Sequence, residues 1–143
     1  MTFKEYIKAE NIRKDVIKID CSNNSLTDLN GIEEFTDLEH LDCSYNSLTE
    51  LPNLDSLVNL ERLYCDSNTL TQLPNLNSLV NLKYLTCNNN GLIQLPNLDK
   101  LVNLNVLHCA NNKLPESFHS SSIEELKLLV SQINRNLKID RLV

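Results

Sequence analysis

Cysteine recurs every 22 residues, at Cys21, Cys43, Cys65, Cys87 and Cys109, and asparagine follows three residues after each, at Asn24, Asn46, Asn68, Asn90 and Asn112. A spacing kept through five copies leaves few folds open. It demands that one side-chain type return to one depth again and again. A short supersecondary unit stacked on copies of itself into a continuous core does this. A catalytic centre assembles a few different residues once and gives no reason for such a ruler.

The leucines keep the same period. Leu38, Leu41, Leu48, Leu51, Leu54 and Leu57 frame one unit around Cys43 and Asn46, and the pattern repeats from Leu60 and again from Leu82. A degenerate unit precedes them from Val16, and a last one begins at Leu104 and loses the frame at Pro115–Phe118. Leu63 and Cys65 alternate with Arg62, Tyr64 and Asp66, the period of a half-buried strand. Strands one repeat apart then stack in parallel at about 4.8 Å along a concave face. The asparagine ends the strand in a turn, where its amide can bond backbone groups of neighbouring repeats in a ladder. The return segment Leu-Pro-Asn-Leu-x-x-Leu spaces apolar residues by three, which suits short 3-10 turns and is too short for an α-helix.

Both ends carry lid signals, which a solenoid needs to cover its core and strand edges. Thr2-x-x-Glu5 is a capping box opening a short helix over residues 3–10 that presents Phe3 and Ile7. Ser122-x-x-Glu125 is a second one, followed by Ile123, Leu126, Val130, Ile133 and Leu137 at helical spacing, so residues 123–136 form an amphipathic helix in this reading. Leu126, Leu129 and Asn134 also fall in the 22-residue frame, so a degenerate sixth strand is the rival. The tail Lys138–Val143 reads as a terminal strand or a frayed end.

The unit L-x-x-L-x-C-x-x-N-x-L-x-x-L-P-N-L-x-x-L-x-N resembles the leucine-rich repeat family over residues 16–114, and its 22-residue length looks like the internalin-like type. The cysteine in the third apolar slot and the repeated Pro52–Leu54, Pro74–Leu76 and Pro96–Leu98 are similar to leucine-rich repeat proteins of giant amoebal DNA viruses. The expected fold is α/β: a solenoid with a parallel concave sheet, 3-10 turns or irregular segments on the convex side, and helical caps at both ends. One domain over 1–143 is expected, with an N-terminal cap at 1–15, five repeats of about 22 residues at 16–118 and a helical cap at 119–143.

The formal net charge of −6, with both signs interspersed, argues against nucleic acid, which calls for a basic stripe. No run of eighteen apolar residues exists for a membrane span, and the charged first fifteen residues do not fit a signal-peptide core. Five evenly spaced cysteines are an odd number and a poor disulfide framework. They read as a buried ladder of reduced thiols in a reducing compartment, the cytoplasm (host cytoplasm if the chain is viral). Zinc is the sharper alternative, but no second cysteine or histidine stands at ligand spacing. His40 and His108 lie three repeats apart, about 14 Å at strand spacing. Neither a positioned base nor a phosphate loop is visible. Gly91, after Asn90, reads as easing a strand-end turn. No cofactor, no metal and no enzymatic activity are expected.

Function should therefore lie in the outward concave side chains. Three of the four tyrosines are there, Tyr45, Tyr64 and Tyr84, on a diagonal across neighbouring strands. With Arg62 they fit a protein-binding hot spot, although tyrosine also simply suits strands. Asp42, Asp66, Thr86 and His108 complete the candidate surface, and the charge mixture favours a mildly basic or mixed protein partner. The reading is a monomeric protein–protein interaction module binding on its concave face. The alternatives are a structural or self-assembling repeat protein, and a recognition adaptor for an enzyme complex, a role the family resemblance implies.

Overall fold

The computed structural model describes residues 1–119 and 122–140. Each repeat crosses the concave side as a three-residue strand: β1 Lys18–Asp20, β2 His40–Asp42, β3 Arg62–Tyr64, β4 Tyr84–Thr86 and β5 Val106–His108. They form one parallel sheet in sequence order. The register is the sequence period itself: Ile19 pairs with Leu41, Leu41 with Leu63, Leu63 with Leu85 and Leu85 with Leu107. A slip of one residue would turn these side chains from core to solvent, so burial enforces the alignment.

Strands this short are held by pairing that continues past their ends. The amides of Cys21, Cys43, Cys65 and Cys87 donate to the carbonyls of Asp42, Tyr64, Thr86 and His108 at 2.8 to 2.9 Å. The thiols lean on the same carbonyls at 3.3 to 3.4 Å. All five cysteines are free and buried. Burial, with the Asp42 and Asp20 carboxylates adding to it, pushes the Cys21 thiol up to about 12. Burial likewise drives Cys43, Cys65 and Cys87 upward.

Asn68 shows how the asparagines join repeats. Its Nδ2 donates to the Cys65 carbonyl at 3.2 Å and to the Cys43 carbonyl of the preceding repeat at 3.1 Å, while its Oδ1 accepts from the Leu48 amide at 3.0 Å. Asn46, Asn90 and Asn112 reach back in the same way. Asn24 has no repeat before it, and its Nδ2 stays within its own turn, on the Ser22 carbonyl at 2.8 Å.

On the convex side the chain returns by turns closed every three residues: the Leu57 amide donates to Leu54, Leu60 to Leu57, Leu79 to Leu76 and Leu82 to Leu79. The first return forms a regular 3-10 turn at Ile32–Glu34, entered through Gly31 at φ 104, where a Cβ would be strained. Gly91, by contrast, does not serve the turn expected of it. The left-handed residue at that turn is Asn89 at φ 54, and Gly91 has no positive φ.

α1, Phe3–Ala9, carries the capping box of Thr2 and Glu5 and buries Phe3 and Tyr6, with Ile7 only partly covered. Phe3 packs edge-on against Phe35 at 5.9 Å between centroids, and the Tyr6 hydroxyl donates to the Asp20 carbonyl at 2.7 Å. At the other end α2 runs over Ile123–Asp140, longer than expected, and residues 126–134 are helix rather than a sixth strand. The Ser122 amide donates to Glu125 Oε2 at 2.8 Å and the Glu125 amide to Ser122 Oγ at 3.3 Å. Leu126 and Val130 are buried against the stack, but Ile133 and Leu137 remain exposed. The apolar face of α2 therefore packs closely on the stack along its first half, while Ile133 and Leu137 face Ile93, Leu95 and Pro115 across an open cleft. Lys138 is helical, and residues 141–143 of the expected tail lie outside the described residues.

Candidate functional site: the concave face

The strand register arranges the outward side chains in rows. The first holds Lys18, His40, Arg62, Tyr84 and Val106, and the second Asp20, Asp42, Tyr64, Thr86 and His108. Arg62 and Tyr84 are thus lateral neighbours. The guanidinium carbon sits 4.7 Å from the Tyr84 ring centroid, a cation–π contact worth roughly 0.5–2 kcal/mol. Arg62 makes no ion pair among the described residues, and its Nε is buried without an acceptor. The adjacent Glu61 is taken by Lys83 at 2.8 Å, which holds the Glu61 carboxyl below its ordinary range.

The acidic residues are less free than alternation alone implies. Asp42 Oδ1 accepts from the Ser44 amide at 3.0 Å. Asp20 accepts from both the Ser22 hydroxyl and amide, which lower its carboxyl. Asp66 accepts the Thr86 hydroxyl in a short hydrogen bond and the Asn88 amide at 2.7 Å. Asn88 Oδ1 in turn accepts from the Ala110 amide at 2.8 Å. A second side-chain ladder therefore runs across the later repeats. The Asp-x-Ser pairs are a recognisable turn signal. The bonds from Asp66 and Asn88 to the next repeat have no local signature.

Tyr64, Tyr84, Arg62, Asp42 and Thr86 are half-buried, and His108 is exposed at the last strand. Tyr45 lies beyond its strand, 64% exposed, in the left-handed region at φ 55. The same slot holds Asn23, Ser67, Asn89 and Asn111, also at positive φ. Asparagine tolerates that backbone, whereas an aromatic residue there costs about 1–2 kcal/mol. The tyrosine diagonal thus spans the face from the first row to the turn, with no ring contact between its members among the described residues.

Among the described residues no three His, Cys, Asp or Glu side chains gather where they could hold a metal ion, and no helix is long and apolar enough to cross a membrane.

Known proteins share this architecture. The family model for leucine-rich repeats (2 copies) matches residues 15–56, 36–78 and 58–100. The functional domain of InlJ from Listeria monocytogenes, whose structure is described as including a cysteine ladder, is 39% identical with a TM-score of 0.64, over 71% of this chain and 22% of that one. The leucine-rich repeat protein LIC12759 of Leptospira interrogans is 30% identical at a TM-score of 0.70, over 80% and 30%. The Listeria monocytogenes internalin InlF is 27% identical at 0.64, over 78% and 33%. The chain therefore spans a third or less of each of these structures. A search of the curated proteins found no match.

Proposed function

The chain belongs to the leucine-rich repeat family, and from that premise we propose that it is a non-catalytic, monomeric module that binds another protein on its concave face. Members of this family generally serve in protein–protein interaction. The observation that carries the proposal for this chain is Tyr45, a largely exposed aromatic ring held in a backbone conformation that suits the asparagine of other repeats better. Stability alone opposes tyrosine there. Its cost is offset if the ring contributes to a partner contact. Arg62, without an acid partner among the described residues and laid over Tyr84, supplies a second rigid anchor beside Tyr64.

Because Asp66 and Thr86 are bonded to each other and Asp42 to its own turn, they act as walls of this surface more than as ion-pair partners. His108 extends it to the last strand. A partner of mixed or mildly basic character fits the remaining charges. Five cysteines without a disulfide support a reducing compartment, the cytoplasm.

The test is a parallel capture with the intact chain and a Tyr64→Ala/Tyr84→Ala double variant, followed by titration of the recovered protein. We expect the double variant to lose about 2 kcal/mol or more, roughly thirty-fold in Kd. Tyr45→Asn should also weaken binding while stabilising the fold by about 1 kcal/mol. Equal affinities for all three proteins would remove the concave face from the binding surface. Mass that rises with concentration in light scattering would instead favour self-assembly.

A further inference from the structure

The solenoid treats its two ends differently. At the N-terminus, main-chain groups of the first repeat are occupied by the cap. The Thr27 amide donates to the Met1 carbonyl at 3.0 Å, the Met1 ammonium to Ser25 at 3.2 Å, and Tyr6 covers Asp20. At the C-terminus, β5 is the last strand of the sheet, and Leu126 of α2 lies beneath it, with no strand paired to its outer edge among the described residues.

Four earlier repeats define what a following strand supplies. The amides of Asn23, Tyr45, Ser67 and Asn89 donate to the next repeat, as do those of Cys21, Cys43, Cys65 and Cys87. The equivalent Cys109 and Asn111 amides have no acceptor among the described residues. The carbonyls of Ile17, Glu39, Glu61 and Lys83 each accept two amides from the repeat that follows, and the equivalent Asn105 carbonyl accepts none from the described residues. The amides of Leu26, Leu48, Leu70 and Leu92 each donate to an asparagine Oδ1, while that of Leu114 has no such acceptor among the described residues. Among the described residues the Cys109 thiol likewise lacks the carbonyl that the other four lean on.

Two features mark this edge as usable. Soluble proteins commonly blunt an open strand with charge, proline or a bulge. Residues 104–112 carry no acidic residue, lysine, arginine or proline. Below the edge is an open cleft of ≈ 260 Å³, lined by Leu107, Cys109, Phe118 and Leu126 with His108 and His119 at its rim. That is smaller than the ~300–1,000 Å³ of small-molecule sites, and its apolar floor leaves room for a side chain of a docked strand, with Asn88 also on its wall.

We propose that the β5 edge is a strand-acceptor site, which takes an extended segment of a second protein in parallel register, with one apolar side chain of that segment filling the cleft beside Leu107. The groups without a partner among the described residues state the chemistry of the occupant. It offers carbonyls to Cys109 and Asn111, an amide to Asn105, and an apolar residue between them, in the manner of β-strand addition. This surface shares His108 with the concave face but none of Tyr45, Tyr64 and Tyr84, and it stands whether or not those tyrosines bind.

The probe is a synthetic peptide copying residues 82–92 with Cys87→Ser, and its control is the same peptide with Leu85→Pro. Amide hydrogen exchange of the intact chain is followed at Cys109 and Asn111, with Cys87 and Asn89 as internal references. Without peptide, Cys109 and Asn111 should exchange faster than their references. At ten times its Kd the peptide should slow both about tenfold, and the proline peptide should not. No slowing up to the solubility limit of the peptide overturns the proposal. So does slowing confined to Tyr64 and Tyr84, which would place the peptide on the concave face. Slowing that grows with protein concentration alone would show a second copy at the edge and overturn a foreign strand.

Discussion

Alkali should unfold this chain through its cysteines. In the native state burial keeps the thiols protonated, Cys21 up to about 12 and Cys43, Cys65 and Cys87 also far above their ordinary range. In the unfolded chain the same thiols titrate near 8.5. Below that pH both states hold the protons, and the contribution to stability is complete and constant. Above it the unfolded chain binds fewer protons than the native one, so stability falls as pH rises. The fall continues until the native thiols themselves titrate, near 12 for Cys21. One fully titrating thiol removes about 1.4 kcal/mol per pH unit. Four of them remove roughly 5 kcal/mol per unit, against a total of about 5–15 kcal/mol for a typical domain. Cys109, at the open end, adds less. Tyr6, whose hydroxyl is raised chiefly by burial, acts with the same sign, but only above about 10. Urea unfolding under reducing conditions at stepped pH measures the effect. Stability should be level to about pH 8 and most of it gone by about pH 10.5. Cys65→Ala should reduce the slope by about a quarter whatever it does to the baseline, since it removes one of four protons. A flat profile to pH 10, with thiols shown intact, would refute the reasoning: the cysteines would not be held neutral by the fold.

Leu63→Ala, in a fully buried slot with repeats on both sides, should cost about 2–5 kcal/mol in the same denaturation assay. Asn68→Ala leaves the Leu48 amide without its acceptor and takes one of two asparagine donors from each of the Cys43 and Cys65 carbonyls, and should cost about 2 kcal/mol or more. Asn24→Ala, losing only the side-chain bond to Ser22, should cost about 1 kcal/mol. Equal losses at the two asparagines would contradict a ladder that joins repeats. Native labelling with a thiol reagent, followed by peptide mapping, should modify Cys109 first, because it is 7% exposed while the other four are fully enclosed. Labelling of Cys65 ahead of Cys109 would reverse that order.

In a stacked repeat, register, burial and residue identity are one constraint, and this is why so much of the interior was legible. Once Leu41, Leu63 and Leu85 share a slot, their pairing and depth follow, and the structure pairs them so. The constraint fails where the repetition ends. Leu107 and Cys109 occupy the slots of Leu85 and Cys87, yet Leu107 is only partly covered, because a solenoid residue is buried by the repeat after it. Helical spacing made Ile133 and Leu137 look like part of a lid. Spacing fixes which residues share a face, but says nothing of how closely the stack beneath them packs: Ile133 and Leu137 face Ile93, Leu95 and Pro115 across an open cleft.

The concave face divides in the same way. Alternation identifies the side chains that project, but not those already bonded across repeats, so Asp66 and Thr86 looked freer than they are. What remains informative is departure from the repeat. A residue that fits its slot, such as Asn89 at φ 54, is accounted for by the fold. Tyr45 at φ 55 is not, since the fold alone would be better served by asparagine. A functional reading of a repetitive scaffold should therefore weigh most heavily the side chains that stability opposes. For this chain that places Tyr45 ahead of Tyr64 and Tyr84, which suit a strand for its own sake.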